Sequence, residues 1–133
     1  MRHVQRRYWS EARALLCRDA RALLILRRAP DTSWEFPGGR LLPNESPPTG
    51  LVRLCRLMLG IDIDIVGGAA HSEYNCGFQA VRCHYFVCGT TREPDHRNHW
   101  HEARWVLVPQ LREYYFDTVT QHVVDRLLDS LPR

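Results

Sequence analysis

The chain has 133 residues, 44% of them hydrophobic and 25% charged, with a formal net charge of +3. That length suits one compact domain spanning 1–133 and leaves no room for two, and that balance excludes a disordered or membrane-embedded chain. No apolar run approaches the roughly 20 residues of a bilayer crossing, and no apolar segment follows the charged start of the chain, so a cytoplasmic location and no membrane partner are expected. All 18 basic residues are arginine, whose planar guanidinium suits phosphate, yet a net charge of +3 is too small to argue for nucleic acid by itself. Cys17, Cys55, Cys76, Cys83 and Cys88 form no C-x-x-C pair and sit in or beside apolar stretches, so buried free thiols are expected and a zinc site is not.

In chain order, the pattern from Ala12 to Arg18, a turn at Asp19-Ala20 and the apolar run to Arg28 predict an antiparallel hairpin. Pro30 to Ser33 breaks the chain, and Trp34-Glu35-Phe36-Pro37-Gly38-Gly39 is a short apolar segment ending where the backbone turns sharply. Ser46 as N-cap, with Pro47 at the first helical position, predicts a helix to Leu59 stopped by Gly60. Ile61-Asp62-Ile63-Asp64-Ile65 alternates as a half-buried strand does, and Gly67-Gly68 predicts a bulge before the strand continues to Tyr74. Asn75-Cys76-Gly77 supplies a turn into a further strand reaching Cys88. Thr90 to His101 reads as a surface loop and Ala103 to Val108 as the last strand. A final amphipathic helix, capped by Asp117 or Thr118, runs to Leu131 with Val123, Val124, Leu127, Leu128 and Leu131 inward.

The glycine-rich loop leading into a helix carries the spacing G-x5-E-x7-R-x-U-x4-G-U, where U is apolar. Gly39, Glu45, Arg53, Cys55, Gly60 and Ile61 occupy these positions. The segment 39–61 thereby resembles the box of the Nudix family, and the resemblance extends from about residue 12 to 131, including Trp34 to Gly39, Ala103 to Val106 and Phe116 to Leu128. The entry segment is similar to that of the 8-oxo-dGTP pyrophosphatase (MutT-like) branch. This resemblance implies an α/β fold, an α/β/α sandwich with a mixed central sheet. It also implies a hydrolase acting on nucleoside diphosphate derivatives, with magnesium as the cofactor of an active member.

The family's three box-helix glutamates correspond to Leu54, Leu57 and Met58. Magnesium takes oxygen ligands in near-octahedral geometry, which these side chains do not supply, so no metal site of the usual kind is expected. A further glutamate of that branch maps to His99. Glu45 and Arg53 remain as the box's candidate catalytic residues. Glu73, Glu102, His71, His84, His99 and His101 are the other groups that could hold a metal in a rearranged site. By the same resemblance the base-binding groove maps to Arg28, Glu35, Phe36, Gly38, Gly39 and Thr120, with Tyr74 and Phe78 as further stacking candidates. Thr120 stands where the branch has an asparagine, and one hydroxyl cannot replace a two-edged amide.

The expected function is a domain that binds a nucleotide or nucleotide-like molecule with little or no metal-dependent pyrophosphohydrolysis. Two alternatives stay open. One is an active hydrolase built on a rearranged metal site. The other is an interaction module, with the apolar stripe Leu54, Leu57 and Met58 covered by the chain's own loops, by a partner or by a second copy in a homodimer.

Overall fold

The computed structural model describes residues 7–19, 22–76, 79–95 and 100–131. The strands are β1 (Arg7–Arg18), β2 (Ala22–Arg27), β3 (Gly38–Arg40), β4 (Asp64–Cys76), β5 (Gln79–Gly89) and β6 (Glu102–Leu107). They form one mixed sheet in the order β4-β5-β1-β2-β6, with β3 also paired to β1. Helix α1 (Pro47–Leu59) and helix α2 (Thr118–Asp129) complete the domain, with a 3-10 turn over Val108–Glu113.

Strand β1 is the axis of the molecule. It pairs in parallel with β5 along its whole length, from Arg7 opposite Gln79 to Cys17 opposite Gly89. On its other side β3 occupies Glu11 to Arg13, and β2 takes over only at Cys17 and Arg18. The expected β1–β2 hairpin is therefore present but short, because β3 is inserted where the hairpin would have continued. Asp19 adopts φ 52° in its turn; Ala20, Gly77, Phe78 and His99 lie outside the described residues.

Side chains alternate along β1, and each set meets a different helix. Ala12, Ala14 and Leu16 join Leu51, Leu54, Cys55 and Leu59 of α1 in one core cluster. Leu15 faces the other way and joins Phe36, Tyr85, Phe116, Val123 and Val124 on the α2 side. The result is the expected α/β/α sandwich. Burying a Leu or Phe contributes roughly 1.5–3 kcal/mol, so these two clusters hold the layers together.

Helix α1 has the predicted ends. Gly60 closes it at φ 64°, its N–H reaching the Arg56 carbonyl. Ser46 has the extended backbone of an N-cap, but its side chain makes no capping bond and instead donates to Thr49 Oγ1 at 2.8 Å. Pro47 and Pro48 lack N–H groups, which leaves fewer orphan donors for a cap to serve. Ile61 and Ile63 are buried as their alternation predicts, yet β4 begins only at Asp64, where its partner β5 ends at Gly89. Register shifts at Ile65/Gly67 and Gly68/Ala70 place the bulge where the two glycines stand. In α2, Asp117 is the cap and accepts from the Thr120 N–H at 2.8 Å.

Gly38 sits at φ 139°, and a Cβ there would lie 2.0 Å from the Ala12 carbonyl oxygen and 2.9 Å from the Arg13 Cα. Both obstacles are backbone of the central strand and cannot step aside. Gly67, by contrast, has open space around it. Gly38→Ala is expected to cost at least about 3 kcal/mol from combined strain and overpacking, or to prevent folding. Gly67→Ala should shift stability by no more than about 1 kcal/mol. Urea unfolding of both variants is the check, and equal stabilities would contradict this reading of β3.

Candidate functional site

The box segment packs on the α1 face of the sheet. Gly39 lies opposite Ala12, and a Cβ built on it would touch Met58 Cε at 3.7 Å and Leu54 Cδ2 at 3.9 Å. Two of the three residues at the glutamate positions thus rest against the glycine that opens the box. Leu54 is buried and Met58 half-buried. Leu57 is not covered by the described residues of the chain itself, being 62% exposed. At about 100° per residue, Leu54 and Met58 lie within about 40° of each other on the helix, whereas Leu57 lies about 60° the other way and points outward.

Glu45 and Arg53 form a two-pronged ion pair. Arg53 Nε donates to Oε2 at 2.8 Å and Nη2 to Oε1 at 2.9 Å, while the Leu42 N–H also donates to Oε1 at 2.9 Å. The Arg53 hydrogen bonds, followed by the Leu42 N–H, hold the Glu45 carboxyl down at about 2. Gly50 is required beneath this clamp, since a Cβ there would come within 2.2 Å of Leu41 Cδ2 and 2.7 Å of Glu45 Oε1. The pair therefore ties the loop to α1, with its charges already matched.

Among the described residues other than its chain neighbours, only Met58 and Leu54 come within 4 Å of a Cβ built on Gly39. Glu73 is paired with Arg82, and Glu102 with Arg27 and Arg104. His71 stands opposite His84 on the β4–β5 ladder, two residues from Glu73 on the same strand. Among the described residues no group of three or more His, Cys, Asp and Glu side chains is arranged to hold a metal ion. The side chains present do not fit an oxygen-coordinated magnesium.

A pocket of different chemistry opens on the opposite, α2 face. A cavity of about 330 Å³ is lined by Glu11, Arg13, Glu35, Tyr74, Tyr85 and Thr120, with Asp117 at its edge. The same alternation that sends Ala12 toward α1 sends Glu11 and Arg13 into this cavity. Arg13 Nη2 donates to Glu11 Oε1 at 2.8 Å, and Nη1 donates to Glu35 Oε1 and to the Phe36 carbonyl, each at 3.0 Å. Tyr74 OH donates to Glu11 Oε2 at 3.0 Å. Burial opposes the charge on Arg13, but Glu35 and Glu11 outweigh it and raise its pKa. Burial likewise opposes ionisation of Glu11, and Arg13 outweighs it, so Glu11 stays a carboxylate. Burial and then Glu11 push the Tyr74 phenol up, which keeps its proton available as a donor. The lining presents three carboxylates against one guanidinium, so it suits a ligand rich in N–H donors.

Of the residues singled out in the sequence, Glu35, Tyr74 and Thr120 meet in this cavity. Phe36 does not: it is 1% exposed, stacked on Phe116 at 5.9 Å and edge-on to Tyr85 at 6.4 Å, and so belongs to the core beneath the pocket. Arg28 lies just past the end of β2, exposed, 3.7 Å from Glu35 and over the Trp100 ring at 4.6 Å, outside the lining. Gly38 and Gly39 serve the β3 turn and the α1 contact. Glu11, Arg13 and Tyr85 were not anticipated. The available signal was Glu11-x-Arg13, two charges in alternate positions of a strand that is otherwise apolar on that face.

The depressed Glu45 carboxyl has a definite pH consequence. A group whose pKa falls from 4.5 to about 2 on folding adds stability above about pH 4.5 that is lost as pH drops toward 2. The parent is expected to exceed Glu45→Gln in unfolding free energy at pH 7, and the gap should narrow steadily between pH 4.5 and pH 2. Urea titrations across that range are the check, and a gap independent of pH would contradict the clamp.

The chain matches the model of the NUDIX domain over residues 7–127. No curated protein sequence matches it. Among solved structures, the MutT protein from Methanosarcina mazei Go1 is 20% identical, with 94% of this chain and 96% of that chain covered and a TM-score of 0.80. The E. coli ORF135 protein is 18% identical, with 92% and 90% covered and a TM-score of 0.79. A UDP-X diphosphatase is 12% identical, with 96% and 66% covered and a TM-score of 0.73. Identities this low establish a shared fold and nothing finer. With a sandwich of this topology and a family match spanning nearly the whole chain, the protein belongs to the NUDIX domain family.

Proposed function

We propose that this chain binds a nucleotide or nucleotide-like molecule in the cavity between β1, β4, β5 and α2, and does not carry out efficient magnesium-dependent pyrophosphohydrolysis. The observation that carries the reading is the contact of Leu54 and Met58 with Gly39. Carboxylates at those helix positions would hold a divalent cation against a diphosphate. Leucine and methionine offer hydrocarbon and a thioether there, which a hard cation does not ligate. Stabilisation of phosphoryl charge by metal contributes several kcal/mol to such reactions, so its loss would leave hydrolysis slow.

The α2-side cavity supports the binding half of the proposal. Glu11, Glu35 and Asp117 are acceptors for ring N–H and amino groups, and Tyr74 and Tyr85 supply aromatic surface beside them. Arg13 holds Glu11 and Glu35 in place before any ligand arrives, which lowers the ordering cost of binding. The UDP-X diphosphatase named above is a structural neighbour whose name points to nucleotide chemistry, consistent with a ligand of that class.

The test is pyrophosphate or phosphate release from a panel of nucleoside triphosphates and nucleoside diphosphate sugars with magnesium. Release is expected to be no faster than in a protein-free control. Restoring Glu at 54, 57 and 58 together is expected to leave turnover below ~1 per second, the low end of ordinary enzymes, because Thr120 and His99 still stand where the branch has an asparagine and a further glutamate. Robust magnesium-dependent turnover by the parent would overturn the proposal. Turnover by the triple variant alone would show that the carboxylates were the sole missing part.

A further inference from the structure

A second cavity of about 510 Å³ adjoins the first and shares Tyr74, Thr118 and Val119 with it. Its lining adds His71, Ser72, Glu73, His122 and Arg126. Thr118, His122 and Arg126 repeat at every fourth residue and so form one line along α2 facing this cavity. Arg126 and His122 make no ion pair with any described residue. The nearby acids are engaged elsewhere: Glu73 with Arg82 at 2.8 Å, and Asp125 with the Gln121 amide at 2.9 Å.

Three further donors sit in the same wall. Ser72 Oγ has no hydrogen-bond partner, although it is screened from solvent. The Thr118 and Val119 N–H groups belong to the first turn of a 12-residue helix and have no acceptor within it, whereas that of Thr120 is taken by Asp117. A helix start and the Arg126 guanidinium thus border one end of a cleft whose other end is lined by carboxylates.

We propose that this second cavity is the anion subsite for the same ligand, taking a phosphate along α2 while the donor-rich ring occupies the acidic cavity. The proposal rests on the nucleotide-binding reading above and adds to it the direction of the ligand. The phosphate runs along Thr118, His122 and Arg126, away from the box helix. Guanidinium and helix N–H groups provide charge-assisted hydrogen bonds to phosphate oxygens without any metal. A nucleoside monophosphate is the smallest molecule that carries both ends.

The experiment follows backbone amide signals of the isotope-labelled protein in excess EDTA, titrated with adenosine and guanosine, their monophosphates, and inorganic phosphate. A monophosphate is expected to bind at least about tenfold more tightly than its nucleoside and to shift Ser72, Thr118, Val119 and Arg126. In the His122→Ala, Arg126→Ala double variant the monophosphate should fall to the affinity of the nucleoside, with nucleoside binding unchanged. Both substitutions are at exposed positions, and a thermal melt matching the parent verifies the fold. If nucleoside and monophosphate bind alike, or the phosphate shifts Gly39 and Arg53 instead, the anion subsite is overturned while the nucleotide reading stands. If neither nucleosides nor monophosphates shift any residue of the first cavity, both are overturned.

Discussion

The interaction on which the rest of the structure depends is the bridging of Glu11 and Glu35 by Arg13. Arg13 belongs to the central strand, and its guanidinium also reaches the Phe36 carbonyl, so it fastens the entry segment to β1 from the pocket side. From the other side the Ala14 N–H donates to the Pro37 carbonyl at 2.7 Å, and Glu35 and Leu26 exchange backbone hydrogen bonds at 2.8 Å. The segment is thereby fixed between β1 and β2, Gly38 is forced against the Ala12 carbonyl, and β3 can pair. A half-buried guanidinium between two carboxylates is satisfied as a unit. Removing it would leave two carboxylates facing each other in partial burial, which is far more costly than losing an exposed pair.

This arrangement divides the molecule into two chemically distinct faces that share one strand. Ala12 and Ala14 are small and let α1 come close on one side. Glu11 and Arg13 open a polar cavity on the other. The box remnant and the pocket are therefore separated by the sheet, and their chemistry can diverge independently. On the α1 face the Glu45–Arg53 clamp and the Leu54–Met58 contact both act as packing, with no unpaired charge among them. On the α2 face the carboxylates are held by hydrogen bonds from Arg13 and Tyr74, and the cleft beyond them carries Arg126, which makes no ion pair with a described residue.

Much of the fold could be read from local signals. Ser46 through Gly60 contains a start, a proline and a stop for one helix, and the observed boundaries agree. The Gly67-Gly68 bulge and the β4–β5 antiparallel pairing follow from residues adjacent in sequence. The parallel pairing of β1 with β5 could not be read this way. Alternation tells which residues share a face but not which distant strand lies alongside. For the same reason Phe36 looked like a stacking surface: an aromatic residue beside a glycine turn has no local mark distinguishing a pocket wall from the core layer formed with Phe116. β2 ends at Arg27, and the next side chain, Arg28, lies over the Trp100 ring, a placement that no local pattern specifies. Tyr74 and Thr120 reach one cavity only through the packing of α2 on β4, which a sequence pattern does not specify.

The central claim is that the box face presents hydrocarbon where a divalent cation would be held. Paramagnetic broadening by Mn²⁺ tests it most directly, because the ion mimics magnesium and its effect on amide signals is local. Mn²⁺ added alone, and again with a saturating nucleoside triphosphate, is predicted to leave the Gly39, Leu54 and Met58 amides no more broadened than those of exposed acidic residues elsewhere, such as Asp62 and Asp129. Selective loss of the Gly39, Leu54 and Met58 signals at low Mn²⁺ would contradict the account and place a functioning metal centre against the box helix.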